Sequence, residues 1–99
     1  MKLYIVKYCA NEFDDLGYES PYPIYYSLDR YDAYGHFSEY INREKKRFNE
    51  YLWNHPELKD NEDYSIEVDT ENEFEYYFGK WFYKYCFEEV ELEKDLRYN

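Results

Sequence analysis

The chain has 99 residues, 23 Asp plus Glu against 12 Lys plus Arg, and a net charge of -11. Such acidity excludes a nucleic-acid binder that works by neutralising phosphates, and it directs attention to a positively charged partner. Yet 44% of the residues are hydrophobic, a quarter are aromatic and sixteen are tyrosine, so the chain has the means to fold despite its polarity.

Its length corresponds to one domain, predicted over residues 1–93 with a polar tail at 94–99. A chain of this size buries roughly two-thirds of its unfolded surface, which is enough for one modest core. No apolar run approaches the roughly 20 residues of a membrane span. Leu3-Tyr4-Ile5-Val6 is cut short by Lys7 and is too brief for a signal peptide, so the expected location is the cytoplasm. Cys9 and Cys86 are 77 positions apart and form no CxxC pattern, which predicts two buried free thiols. A disulfide between terminal strands is the alternative for a secreted protein.

In chain order, residues 2–9 (KLYIVKYC) read as a strand with apolar groups on both faces, hence a central one. Leu3, Ile5 and Lys7 share one side, and Tyr4, Val6 and Tyr8 the other. Residues 11–23 form a polar loop broken by Gly17, Pro21 and Pro23. Residues 24–27 suggest a short second strand, antiparallel to the first. Ser27 or Asp29 then offers a cap for one long helix over 28–54. Its apolar face is Tyr34, Phe37, Ile41, Phe48 and Leu52, with a gap at Glu44 and Lys45. Gly35 costs about 1 kcal/mol against Ala inside such a helix. Pro56 ends it.

Residues 64–69 (YSIEVD) alternate as a half-buried strand, with Tyr64, Ile66 and Val68 inward. Thr70 to Glu73 fits a capping box opening a short helix over 71–78, stopped by Gly79. Residues 80–93 read as a long final strand with a bulge near Phe87. Two rivals stand for this region, a helix continuing through Tyr85 and a hairpin turning at Gly79-Lys80. The expected fold is therefore α+β. A small antiparallel sheet of about four strands, its terminal strands adjacent, packs on one long helix, with a short second helix.

Catalytic signatures are missing: there is no phosphate-binding glycine loop, HExxH or GxSxG. His36 with Glu39 has a spacing compatible with metal ligation, and Asp14-Asp15 with Glu12 form an acidic loop. The expected reading of both is a solvated surface, with no cofactor, no metal and no enzymatic activity. The basic run Arg43, Lys45, Lys46 and Arg47 is expected to pair with Glu39, Glu44 and Glu50 along the helix.

The negative charge is uneven. Residues 1–56 carry nine acids and seven bases, and residues 57–99 carry fourteen acids and five bases. Glu89, Glu91 and Glu93 alternate in the predicted last strand, and residues two apart lie about 6.5–7 Å apart on one face. Glu67 and Asp69 repeat the pattern, and Glu71, Glu73 and Glu75 crowd the predicted short helix. Such rows have the spacing of a phosphate backbone and would attract the Lys/Arg groove of a nucleic-acid-binding protein or nuclease. Surplus tyrosines at the surface suit a protein–protein contact. These eight carboxylates are the expected partner-binding residues.

In size, acidity, aromatic content and a residue usage rich in Tyr, Asn, Asp, Glu, Lys and Phe, the chain resembles small acidic phage and mobile-element proteins that inhibit host defence, including anti-CRISPR proteins. The opening KLYIVKY and closing FEEVELE resemble the terminal strands of such α+β proteins. The resemblance implies an inhibitor of a basic nucleic-acid-handling protein, by nucleic-acid mimicry or by locking a nuclease. No family motif accompanies it, so it transfers no functional residue. The competing expectations are a non-catalytic adaptor or small homo-oligomeric phage protein, then a small metal-dependent enzyme.

Overall fold

A computed structural model describes residues 1–12 and 20–92. The sheet is built from β1 (Lys2–Glu12), β2 (Tyr22–Ser27), β3 (Tyr64–Asp69), β4 (Glu73–Phe78) and β5 (Trp81–Glu91). One long helix, α1 (Arg30–Asn54), and a 3-10 turn at Pro56–Leu58 lie between β2 and β3. All pairings are antiparallel, and the strand order is β2-β1-β5-β4-β3. The α+β class and the long helix agree with expectation, as does the adjacency of the terminal strands. The sheet has five strands instead of about four.

The extra strand replaces the expected short helix. Residues 73–78 alternate Phe74 and Tyr76 inward, both about 1% exposed, and this two-residue period is a strand period. The Thr70 hydroxyl does accept from the Glu73 backbone N–H (3.1 Å), as a capping box requires. The Thr70 N–H, however, donates to the Glu73 carbonyl (2.9 Å), which closes a turn between two strands. Gly79 supplies the hairpin. Its φ is +66°, no non-glycine residue among the described residues has positive φ, and Phe78 pairs with Trp81 across a two-residue loop. Glycine first and lysine second is the type II′ arrangement.

The β1–β5 register runs without a shift from Lys2 opposite Glu91 to Glu12 opposite Trp81, so there is no bulge at Phe87. The irregularities fall in the outer pairs, at Val6/Lys7 against β2 and at Ile66/Val68 against β4. Edge strands tolerate them because only one side of their backbone is paired.

Asp29 caps α1 by accepting from the Tyr31 N–H (3.0 Å), while the Ser27 hydroxyl accepts from the Asp29 N–H (3.0 Å). Ala33, Phe37, Ile41 and Phe48 are buried against Val6, Phe74, Tyr76, Tyr85 and Phe87, and Tyr34 and Leu52 pack half-buried at the margin. Three rings in that core are connected: Phe48 meets Tyr76 edge-on (5.8 Å), and Tyr76 stacks on Tyr83 (5.0 Å). Cys9 and Cys86 are buried free thiols. They sit diagonally, since Cys9 opposes Lys84 and Cys86 opposes Lys7. Diagonal neighbours are about 7–8 Å apart, beyond disulfide reach. No helix among the described residues is long and apolar enough to cross a membrane.

Candidate protein interface

The predicted acidic residues separate by strand and by face. Glu73 opposes Cys86 and Glu75 opposes Lys84, which places both on the side away from α1. Glu89 opposes Tyr4 and Glu91 opposes Lys2, which places them on the other side. Glu93 lies outside the described residues, as do Asp14, Asp15 and the tail at 94–99. The structure therefore does not gather the eight carboxylates into one row.

Lysines occupy several of them. Lys2 reaches Glu89 (3.1 Å), the amino terminus reaches Glu91 (3.3 Å), Lys84 reaches Glu75 (3.7 Å) and Lys45 reaches Asp69 (2.7 Å). The hydrogen bond and charge of Glu89 hold the Lys2 ammonium above its ordinary pKa. Lys7 is likewise raised by its bond to Glu88. The β5 acids thus belong to a ladder of alternating charge rather than to a bare phosphate-like row.

The charge that remains concentrates at one sheet edge. Residues 57–75 hold nine acids and a single base, Lys59. They form the approach to β3, the edge strand itself, the turn into β4 and the first three residues of β4, the strand next to the edge. Glu67, Glu71 and Glu73 are exposed and have no Lys or Arg partner among the described residues. Glu67 is the residue skipped by the Ile66/Val68 shift, and it accepts from the Ser65 hydroxyl (3.1 Å). A shallow cleft of about 220 Å³ at this edge is lined by Glu62, Asp63, Glu67 and Tyr77. The opposite edge differs sharply. Residues 20–28 (SPYPIYYSL), which include β2, carry no charge, and Tyr22, Tyr26 and Leu28 are exposed beside Tyr31 of α1.

The gap in the apolar stripe of α1 also proves informative. Glu44 lies three residues after Ile41 and four before Phe48, so it points at the sheet, and its side chain is only 11% exposed. It accepts hydrogen bonds from the Tyr76 hydroxyl and the Tyr85 hydroxyl (3.1 Å), and pairs with Arg47 (2.8 Å). Arg47 also donates to the Tyr76 oxygen (3.3 Å). Burial pushes the Tyr76 and Tyr85 pKa values upward, and their contacts with the Glu44 carboxylate push the same way. Nearby Tyr8 is raised to about 12, first by burial. This network fixes the helix on the sheet with every buried side-chain polar atom partnered among the described residues. The sequence signal for it was a lone carboxylate at a core position of the helix facing strands whose inward residues are tyrosines.

His36 turns away from the Glu39 pairing. It lies 3.6 Å from Asp32, one turn earlier, and stacks on Tyr25 (3.8 Å), whose hydroxyl donates to Asp32 (2.6 Å). That hydrogen bond, and a second from Ser27, lower the Asp32 pKa. Among the described residues no three His, Cys, Asp or Glu side chains converge as metal ligands. Lys45 likewise leaves the helix surface to pair with β3, whereas Arg47 keeps the expected Glu44. No protein-family model, curated protein or solved structure matches the chain, so its function is argued from its own geometry.

Proposed function

We propose that this protein is a non-catalytic inhibitor that binds a basic nucleic-acid-handling protein, in the manner of anti-CRISPR or anti-restriction proteins. The β3 edge occupies the partner's nucleic-acid site in the bacterial cytoplasm. The observation that carries the reading is the stretch 57–75, with nine acids against one base in and around the edge strand β3. The backbone of a sheet is already ordered, so only the side chains pay an ordering cost when these carboxylates meet a Lys/Arg groove. Glu67, Glu71 and Glu73 lead the contact because no lysine among the described residues shields them, and Asp69 and Glu75 join by exchanging Lys45 and Lys84 for the partner's cations. Glu89 and Glu91 then serve the fold's own charge ladder.

The decisive measurement is competition. After capture of the partner from a bacterial lysate, its own DNA or RNA is titrated against the complex. Mutual exclusion is expected, together with affinity that falls as salt rises, because exposed charges are screened over about 8–10 Å near physiological ionic strength. The triple variant Glu67→Lys, Glu71→Lys, Glu73→Lys is expected to lose binding with its melting temperature retained, mostly through a slower association rate. Simultaneous binding of both ligands without loss of affinity refutes mimicry. A second reading, a non-catalytic adaptor or homo-oligomer, draws on the uncharged β2 edge with Tyr22, Tyr26, Leu28 and Tyr31 exposed. A solution mass above the monomer that reverts in Tyr26→Glu would favour it.

A further inference from the structure

We propose that the groove between the C-terminal half of α1 and the β4–β5 hairpin takes an arginine side chain of the basic partner. The proposal rests on the reading just given and names a second contact, on the α1 side of the sheet. The groove encloses about 420 Å³ and is lined by Arg47, Glu50, Tyr51, Asn54, Phe78 and Tyr83. That volume falls within the usual range of about 300–1,000 Å³ for specific side-chain and ligand pockets. Its walls are three aromatic rings, and Tyr51 packs edge-on against Phe78 (4.7 Å). Tyr51 also stacks on Tyr64, the first residue of β3, at 5.9 Å and 14° between planes. The groove therefore ends beside the first residue of β3, on the α1 side of the sheet.

Its chemistry favours a cation. Glu50 is an exposed carboxylate at the rim, and Asn54 offers an amide oxygen. The last turn of α1 contains no basic residue, so the negative end of the helix is uncompensated there. Arg47 contributes one wall, but its guanidinium is held by Glu44 and the Tyr76 oxygen, and its charge is answered inside the fold. An anion would meet the field of a chain with net charge -11. A guanidinium fits better than an ammonium because it is planar, stacks on aromatic rings and offers paired donors to one carboxylate.

The test needs no identified partner. Acetyl-Gly-Arg-Gly-amide is titrated into the intact protein, with the Tyr51 and Tyr83 ring signals followed by NMR. Saturable shifts of both rings are expected. The citrulline analogue, which keeps the shape and loses the charge, is expected to bind at least about tenfold more weakly, and the lysine analogue about threefold more weakly. Glu50→Gln, on the surface and outside the core, is expected to weaken the arginine peptide about fivefold or more. Absence of ring shifts, equal binding of citrulline or lysine, or unchanged affinity in Glu50→Gln would each overturn the proposal. The triple variant at Glu67, Glu71 and Glu73 is expected to retain the peptide within about twofold at high salt. Conversely, loss of the partner in that triple variant but not in Glu50→Gln would leave the acidic edge standing and remove the arginine anchor.

Discussion

Glu44 is the residue whose removal tells most about this fold. The Tyr76 and Tyr85 side chains are 1% and 6% exposed, and both direct their hydroxyls at one carboxylate. In Glu44→Ala both hydroxyls lose that acceptor. An orphaned buried polar group costs about 1–3 kcal/mol, so the two together predict about 2–6 kcal/mol. Arg47 adds little, because its side chain is 66% exposed and finds water. Glu44→Gln keeps one acceptor oxygen and gains a donor that the second hydroxyl can accept, for a cost of about 1–2 kcal/mol. Glu44→Leu combined with Tyr76→Phe and Tyr85→Phe removes the whole polar set. It is expected to recover most of the loss and lie within about 2 kcal/mol of the parent, as fully apolar replacements of buried charge networks do. Urea unfolding followed by circular dichroism, with m-values compared, measures all three. Alanine within about 0.5 kcal/mol of the parent, or a triple variant no more stable than Glu44→Leu alone, would refute the claim that hydrogen-bond satisfaction inside the core is what Glu44 supplies.

Phe48 is 5% exposed and meets Tyr76 and Phe78 edge-on, so Phe48→Ala is expected to cost about 3–5 kcal/mol in chemical denaturation. The two glycines of the described elements should respond with opposite sign. Gly35 has open space where a Cβ would stand, so Gly35→Ala should stabilise by about 1 kcal/mol. Gly79→Ala, at φ +66° with the Tyr64 hydroxyl 3.2 Å from the new Cβ, should destabilise by about 1–2 kcal/mol, and thermal melts distinguish the two. The raised tyrosines set an alkaline limit. A folded pKa above the unfolded value near 10 gives a contribution that is complete below pH 10 and lost as pH climbs toward the folded value. Stability is therefore expected to hold up to about pH 10 and then to fall by up to about 1.4 kcal/mol per pH unit for each of Tyr76 and Tyr85. Tyrosinate absorbance that rises for all sixteen tyrosines before unfolding would contradict it.

What could be read from the residues followed the strength of each periodic signal. Residues 2–9 show both apolar faces of a central strand, and α1 ends within two residues of its expected bounds, because the Asp29 cap and Pro56 are local chemistry. The stretch 71–78 misled because its signals are shared. Thr70 satisfies the same N–H of Glu73 whether a helix or a turn follows, and glycine closes helices and hairpins alike. What decides is Phe74 and Tyr76 meeting Tyr85 and Tyr83 across the ladder, a long-range contact that no local pattern carries. The site was half legible for a similar reason. Net charge by segment located the acidic half, but alternation along β5 could not reveal that Lys2 and the amino terminus stand across from Glu89 and Glu91.

The uneven charge of the two sheet edges bears on why the acids are there at all. An edge strand must be blunted against pairing with other chains, and a few charges, a bulge or a proline suffice. β2 is blunted by Pro23 within the strand and Pro21 just before it, with no charge. β3 has a shift at Ile66/Val68 and a short length of six residues, which already answer the same need. Nine acids over 57–75 go well beyond it, and their mutual repulsion is a cost to the compact state. Solubility alone would be served as well by acids spread over both edges. Accumulation in and around β3 instead supports the proposed contact with a partner rich in arginine and lysine. The tyrosine core supports the proposed arrangement: Glu44 ties α1 to β4 and β5 from within, so the elements bordering the groove are held by hydrogen bonds that do not draw on the carboxylates of 57–75.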